Sequence, residues 1–84
     1  MADAAQKAGV YVAEAFMYRH HPQTIKAKEL VDSGVIGKLR LIKGAFTFNI
    51  AREDDIRLNR ALVGGSIWDV GCYPISYIRY IAGF

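Results

Sequence analysis

The sequence predicts an α/β fold, because segments with the apolar patterns of β-strands alternate with segments typical of α-helices. Residues 10–16, "VYVAEAF", form a short apolar run rich in β-branched and aromatic side chains, and residues 39–50 alternate apolar and polar side chains. Between them, Pro22 opens a stretch with the composition of a helix. At 84 residues the chain is no longer than one small domain, so any core that it buries is thin.

The first half of the chain predicts a helix, a buried strand and a second helix. Residues 1–8 are rich in alanine and precede Gly9, which suits a left-handed helix cap. Residues 10–16 fit an interior parallel strand that is covered on both faces. Proline is favoured at the first position of a helix, so Pro22 starts the second helix, which Gly34 ends. The side chains of this helix that should face a core are Ile25, Leu30 and Val31.

Residues 39–50 predict one long strand of a half-exposed sheet. The side chains that share one face under period-two alternation are Ile42, Phe46, Phe48 and Ile50. Residues 51–60, which follow, are charged and lack apolar periodicity, which indicates a surface loop.

A third helix should begin near Ser66. Ser66 is the candidate N-cap, and Asp69 stands three residues later in the position of a capping box. Gly71 and Pro74 predict a kink or an irregular first turn, because proline lacks a backbone donor and clashes with the carbonyl four residues back.

Composition and charge exclude several classes of protein. The formal net charge is +3 and basic residues are interleaved with acidic ones, so there is no basic stripe of the kind that binds nucleic acid. The single cysteine, Cys72, excludes an internal disulfide framework and predicts a reducing, cytoplasmic location. No secretory signal and no apolar segment of the roughly 20 residues that span a bilayer is recognisable, so no membrane association is expected.

Asp69 and Tyr73 are four residues apart, so on a helix they share one face. A phenol beside a cation can take the proton of a hydroxyl as hydride leaves the carbon, and a neighbouring carboxylate can orient the substrate. The same spacing fits a capping carboxylate and a core aromatic residue. Such pairs are common on helices, so spacing alone favours the structural role.

Three strings closely resemble the glucose-fructose oxidoreductase, inositol dehydrogenase and MocA family: "EAFMYRHHPQ", "GVIGKLRLIKGAFTFN" and "GGSIWDVGCYPISYIRYIAGF". The resemblance covers nearly the whole chain. It is strongest to the branch of dimeric dihydrodiol dehydrogenases and NADP-dependent xylose dehydrogenases, where a tyrosine fills the position that other branches give to histidine. Many members have a third glycine where this chain has Val63.

The resemblance implies a Rossmann domain followed by a C-terminal α/β domain with an open, mainly antiparallel sheet. Residues 1–20 then correspond to the end of the Rossmann domain, and residues 21–84 to the beginning of the substrate and oligomerisation domain. The chain contains neither G-x-G-x-x-G nor the Glu-Lys-Pro segment that supplies the family's catalytic lysine. Gly64 and Gly65 lack the strand and the spacing of a pyrophosphate-binding turn.

The resemblance also reverses the interpretation of the last helix, since it implies that Tyr73 is the catalytic acid or base and that Asp69 acts beside it. Arg57 resembles a family arginine that approaches the cofactor; a solvated loop charge is the alternative. Arg19 and His21 follow the end of a predicted strand, where ligands gather in α/β proteins, and are candidate substrate-binding residues. Adjacent histidines on one loop seldom both bind a metal, so no metal site is predicted.

The predicted function is hydride transfer between NADP or NAD and a hydroxyl of a sugar or diol, within a cytoplasmic parent enzyme that forms a homo-oligomer through its C-terminal sheet. The isolated chain lacks the dinucleotide-binding fold and is expected to be inactive and to bind no cofactor. Two alternatives remain. One is a small interaction module with Phe46 and Phe48 on its sticky face, and the other is a truncated gene product without catalytic activity.

Overall fold

The computed structural model describes residues 1–84 and contains helices and turns but no β-strand. Its α-helices are α1 (Ala2–Ala8), α2 (Pro22–Asp32) and α3 (Cys72–Ala82). The shorter helical segments are the 3₁₀ turns Met17–His20, Ile56–Leu58 and Arg60–Leu62 and the π-helical turn Ile67–Gly71. No helix has the length and apolar content needed to cross a membrane. The predicted α/β fold with an open, mainly antiparallel sheet is therefore wrong for this chain.

The two segments predicted as strands have no strand partner. Residues 38–51 make no backbone–backbone hydrogen bond, and none joins residues 10–16 to them. A strand satisfies its backbone groups only through a neighbouring strand, and fewer than three strands are marginally stable in water. The alternation of side chains in residues 39–50 describes a segment with two different faces, but it does not supply the neighbour that a sheet requires.

The end of α1 and the start and end of α2 follow the predicted signals. Gly9 closes α1 in the left-handed conformation, at φ 66°. Pro22 occupies the start of α2, and His21 caps that helix, because Nδ1 of its ring accepts a hydrogen bond from the backbone N–H of Gln23 at 3.1 Å. α2 ends at Asp32, shortly before Gly34.

The packing of α2 against α3 gives the chain its small interior. The two buried residues are Ile81, which is 6% exposed, and Thr24, which is 5% exposed. The ammonium of Lys28 donates to the carbonyl of Ile81 at 3.3 Å and so satisfies an acceptor near the end of α3. The prediction that Ile25 and Leu30 face a core is wrong, since each is 44% exposed.

Two contacts fix irregular segments against α3. The hydroxyl of Tyr18 donates to Oγ of Ser76 at 2.6 Å, which ties the Met17–His20 turn to the helix. Gly44 lies against Pro74, where a Cβ on residue 44 would approach the Pro74 Cβ to 3.1 Å. This close approach brings the neighbouring Phe46 onto the helix face that carries Tyr73.

The chain exposes far more surface than a compact domain of its size. Its radius of gyration is 16.7 Å, whereas a compact domain of this length has about 12 Å. Its accessible surface is 7486 Å², against about 5,000 Å² for a compact protein of this mass. Tyr11 and Trp68 are among the large apolar side chains left exposed.

Candidate active site

A glycine pair closes residues 55–65 into a loop, which we call the Arg57 loop. The backbone N–H of Gly64 donates to the carbonyl of Asn59 at 2.9 Å, and that of Gly65 donates to the carbonyl of Arg57 at 2.8 Å. A Cβ on residue 64 would lie 2.6, 2.7 and 2.8 Å from the carbonyl oxygens of Arg57, Asn59 and Ile56. Only glycine permits this approach, which returns the chain to the start of the last helical segment beside Arg57.

Short polar side chains shape the Arg57 loop from within. The carboxylate of Asp55 accepts a hydrogen bond from the backbone N–H of Arg57 at 2.9 Å and caps the Ile56–Leu58 turn. Asn59 repeats the arrangement one turn later, where its side-chain oxygen accepts from the N–H of Ala61 at 2.9 Å. Asp and Asn favour this bond to the second residue ahead. The segment predicted as a surface loop is exposed, and its own side chains order it.

The guanidinium of Arg57 bridges two carboxylates. Its Nη1 donates to the two oxygens of Asp55 at 3.2 and 3.0 Å, while its Nε lies 3.2 Å from each oxygen of Asp69. The guanidinium carbon is 5.7 Å from the centroid of the Phe48 ring, within range of a cation–π contact. Nη2 donates no hydrogen bond within the chain, so one edge of the guanidinium is available to a ligand.

The charges of this cluster favour one another's ionised forms. The hydrogen bond from the backbone N–H of Arg57, reinforced by its guanidinium, holds the pKa of the Asp55 carboxyl below its usual value. Hydrogen bonding to Asp55, and then to Asp69, raises the pKa of Arg57. The side chain of Asp55 is 19% exposed, compared with 26% for that of Asp69. The better-covered partner of this cation is therefore Asp55.

A π-helical turn at Ile67–Gly71 starts the last helical segment. Pro74 has no N–H to offer the carbonyl of Val70 and its ring crowds that carbonyl, so the wider turn accommodates the proline. Gly71 fits this turn because a Cβ there would lie 3.2 Å from the carbonyl oxygen of Ser66. The predicted irregular start of the helix is confirmed.

The predicted capping box at this helix is wrong. Ser66 already has a helical backbone, at φ −61° and ψ −31°, and its side chain makes no capping hydrogen bond. A capping side chain normally needs a non-helical backbone to reach the free N–H groups. The carboxylate of Asp69 binds Arg57 instead of closing the helix end.

Aromatic rings surround Tyr73. Its ring centroid lies 5.3 Å from that of Phe16 in an edge-to-face arrangement, 5.4 Å from that of Phe46 and 6.4 Å from that of Tyr18. Such contacts fix a ring in preferred geometries. Unlike the hydroxyl of Tyr18, which is bonded to Ser76, the hydroxyl of Tyr73 has no hydrogen-bond partner within residues 1–84.

Arg57, Asp69 and Tyr73 line one cleft of about 230 Å³. The other lining residues are Met17, Phe46, Phe48 and Val70. A carboxylate, a phenol and a guanidinium in a largely apolar cleft can orient a hydroxyl, exchange its proton and bind an anionic oxygen. No group of three or more His, Cys, Asp or Glu side chains is placed to hold a metal.

Arg19 and His21 lie outside this cleft. Nη2 of Arg19 is 3.4 Å from Oγ of Ser76, and its guanidinium packs over the ring of Tyr80 at 5.7 Å. Arg19 lines a separate groove of about 370 Å³ that also contains Trp68. The ring of His21 caps α2. The role of these two residues in substrate binding stays a prediction.

Sequence reasoning missed Asp55 as a member of the cluster. The available signal was an aspartate two residues before Arg57, which is the spacing at which an Asp side chain accepts from a backbone N–H. The sequence contained no sign that the same carboxylate also binds the guanidinium, because that contact depends on the rotamer of Arg57.

Proteins similar to this chain are oxidoreductases. The chain is 45% identical over 82 residues to D-xylose 1-dehydrogenase (NADP(+)) 2 of Haloferax volcanii. It is 35% identical over 81 residues to dTDP-3,4-didehydro-2,6-dideoxy-alpha-D-glucose 3-reductase of Streptomyces violaceoruber. These matches cover 96% of this chain and 25% and 24% of the relatives. Trans-1,2-dihydrobenzene-1,2-diol dehydrogenase of Xenopus laevis is 27% identical over 81 residues, 93% of this chain and 23% of that protein.

A family model described as GFO/IDH/MocA C-terminal domain matches residues 24–84. The chain therefore belongs to the GFO/IDH/MocA family of oxidoreductases, and the predicted branch is confirmed by the xylose and dihydrodiol dehydrogenases among its relatives. The chain spans about a quarter of the length of the curated relatives that it matches. No solved structure matches it.

Proposed function

We propose that this chain forms the acid–base end of an NAD(P)-dependent oxidoreductase that transfers hydride between the nicotinamide and a hydroxyl-bearing carbon of a sugar or diol. The observation that carries the proposal is the convergence of Tyr73, Asp69 and Arg57 on one cleft. Names of sugar and diol dehydrogenases among the relatives support the substrate class. We place residues 1–20 at the end of the cofactor domain and residues 21–84 at the start of the next, which the family match from residue 24 supports.

Tyr73 is the acid–base residue in this proposal. Oxidation of an alcohol needs a base for the O–H proton, and reduction of a carbonyl needs the same group as an acid. A phenol with an ordinary pKa of about 10 is a weak base at neutral pH, so a cation must favour its ionised form. The family resemblance implies that this cation is a lysine from outside this chain, since Arg57, which lines the same cleft, is already paired with two carboxylates.

Asp69 orients the reacting hydroxyl in this proposal. It lies one helical turn before Tyr73, and each oxygen of its carboxylate is 3.2 Å from Nε of Arg57. These contacts are longer than the strongest charge-assisted hydrogen bonds, which measure about 2.7–2.9 Å, so the carboxylate keeps capacity to accept a substrate O–H.

In this proposal, Arg57 is the residue of this chain that contacts the dinucleotide. When bound, NAD(P) supplies the carbon that accepts or gives hydride. Arg57 offers its unpaired Nη2 to an anionic or carbonyl oxygen of the cofactor. The backbone N–H groups of Gly64 and Gly65 are committed to carbonyls of the Arg57 loop, so the glycine pair does not cradle phosphates. The phosphate-binding loop is therefore assigned to a part of the enzyme outside residues 1–84.

Phe46 and Phe48 belong to the wall of the cleft in this proposal. Phe46 packs on Tyr73 and Phe48 lies under the guanidinium of Arg57. Each is 49% exposed, and the pair contacts each other edge to face at 6.3 Å. These contacts favour a substrate-facing wall over the surface of a separate interaction module.

The substitution Tyr73→Phe in the complete enzyme tests the proposal. It keeps the ring packing and removes only the ionisable oxygen, so kcat should fall by about 10²- to 10⁴-fold. The Kd of NADPH or NADH should barely change. The measurement is steady-state kinetics with NADP⁺ or NAD⁺ and a panel of aldoses and cyclic diols.

Tyr77→Phe is the matched control for this test. Tyr77 lies four residues further on, packs against Tyr18 at 5.4 Å and does not line the cleft, so its variant should retain wild-type turnover. Asp69→Asn should cause a smaller loss of kcat than Tyr73→Phe, together with an altered pH profile. Near-wild-type turnover of Tyr73→Phe would show that Tyr73 is a packing residue and would overturn the proposal.

A further inference from the structure

We infer that Asp55 is the positioning residue that fixes Arg57 at the cofactor edge of the active site; the inference rests on the proposed function. Asp55 accepts three hydrogen bonds from Arg57, one from its backbone N–H at 2.9 Å and two from Nη1 at 3.2 and 3.0 Å. One carboxylate thus holds both the main chain and the side chain of the same residue.

The geometry of a guanidinium explains why a second carboxylate matters. The group is planar and carries its five N–H donors in a fixed fork. Asp69 holds Nε and Asp55 holds Nη1, so two of the three nitrogens of Arg57 are anchored, each by a different carboxylate. The plane cannot turn without breaking one of these contacts. The direction of the remaining donor, Nη2, is therefore set before any ligand binds.

Asp69 alone would not achieve this. Its contacts to Arg57 are 3.2 Å, and the side chain of Arg57 is 43% exposed, so a single ion pair of this kind holds a long side chain weakly. Asp55 contributes the shorter contact, at 3.0 Å, from a side chain that is only 19% exposed. Its own position is fixed because it caps the Ile56–Leu58 turn.

Asp54 provides a matched control one residue away. It forms an equally direct pair with Arg52, at 2.7 Å, but the two side chains are 72% and 77% exposed and neither lines the cleft. Removing the charge of Asp54 therefore changes the local charge as much as removing that of Asp55, without touching Arg57.

The test compares Asp55→Asn, Arg57→Ala and Asp54→Asn in the complete enzyme. Asparagine caps turns as well as aspartate does, so Asp55→Asn should keep the cap while losing the charged contact, and the melting temperature should fall by no more than about 2 °C, because a partly exposed ion pair contributes at most about 1 kcal/mol. We expect the Kd of NADPH or NADH, whichever the wild type binds more tightly, to rise roughly 2- to 10-fold in Asp55→Asn. Arg57→Ala should raise it roughly 10- to 100-fold, and Asp54→Asn should not change it.

A double-mutant cycle shows whether Asp55 acts through Arg57. If it does, Asp55→Asn should change the Kd by less than about 1.5-fold once Arg57 is already alanine, because the interaction that it supports is gone. Equal effects of Asp55→Asn in both backgrounds would overturn the inference, as would wild-type affinity of Asp55→Asn beside a damaged Arg57→Ala. Wild-type affinity and turnover of Arg57→Ala itself would refute the proposed role of Arg57, and the inference with it.

Discussion

The sequence allowed two roles for Asp69, as a helix cap and as a residue of the active site. A capping carboxylate would accept hydrogen bonds from free N–H groups at the start of the helical segment. Ser66 already has a helical backbone, however, and its side chain makes no capping hydrogen bond. As a site residue Asp69 needs a fixed cationic neighbour, and the Arg57 loop supplies one. The structure therefore removes the capping alternative for Asp69, and its role in the site stays a prediction. The spacing to Tyr73 allowed both roles, because spacing along a helix carries no information about a loop that arrives from elsewhere.

Titration of Asp55 tests the Arg57 cluster without an assay of activity. Its folded-state pKa is lowered, first by the backbone N–H of Arg57 and then by the guanidinium. The stabilising contribution is therefore complete above the unfolded-state pKa of about 3.9 and is lost as the pH falls through the lower folded-state value. We expect NMR titration of the complete protein to give a midpoint for Asp55 below about 3.9.

Two variants sharpen this titration. Arg57→Ala should raise the midpoint of Asp55 only part of the way, since residue 57 keeps the backbone N–H that contributes most. Arg52→Ala should raise the midpoint of Asp54, whose pKa is lowered chiefly by its hydrogen bond to Arg52, and should move Asp55 little. A midpoint for Asp55 at or above its unfolded-state value would mean that the Asp55–Arg57 pair does not form in solution.

The Arg57 loop brings Arg57 to the candidate site, and two adjacent positions in this loop, 63 and 64, favour glycine for different reasons. Gly64 is fixed by space, since three carbonyl oxygens lie within 2.8 Å of where a Cβ would be. Val63 is a different case: it adopts the left-handed conformation at φ 60°, although it is β-branched, and the residue is 64% exposed. Because the residue is mostly exposed, packing of its side chain does not compensate for the strain of the left-handed conformation.

Substitutions at these adjacent positions should change the stability of the protein in opposite directions. Gly64→Ala should lower the stability of the complete protein by about 1–3 kcal/mol through overpacking and should raise the Kd of the cofactor by displacing Arg57. Val63→Gly should raise stability by up to about 1 kcal/mol, since the left-handed strain of about 1–2 kcal/mol exceeds the entropic cost of glycine. Thermal unfolding and cofactor titration of both variants check this. A stabilised Gly64→Ala protein with intact cofactor affinity would contradict the described loop.

What could be predicted from the sequence follows from how local each signal is. Gly9, Pro22 and Pro74 act through their own backbone, so the closed end of α1, the start of α2 and the irregular entry to α3 were all predictable. The sheet was not, because a ladder needs a partner strand and no pattern within residues 39–50 reports whether one is present. The family motif named Tyr73 and Asp69 as candidate site residues, while the place of Asp55 beside Arg57 depended on a three-dimensional contact.

At the scale of the whole molecule, burial is the deciding quantity. Two of the 84 residues are buried, and the accessible surface exceeds that of a compact protein of this mass by roughly half. Apolar burial is the dominant favourable term in folding, and it must offset a conformational entropy of about 1–2 kcal/mol per ordered residue. Contacts between α2 and α3 cannot do this for the entire chain. Further protein surface must then pack against the exposed apolar side chains for the cleft to keep its shape.

The isolated 84-residue chain should therefore neither unfold cooperatively nor bind the cofactor. Its exposed apolar side chains should promote self-association, and its arrangement of Arg57, Asp69 and Tyr73 should be lost for want of a core to hold it. Calorimetric scanning should show no sharp transition, and titration with NADPH or NADH should show no saturable binding, whereas the complete enzyme should show both. A monodisperse monomer with a cooperative transition would contradict the expected instability, and tight binding of either nucleotide would contradict the assignment of the phosphate-binding loop to a part of the enzyme outside residues 1–84.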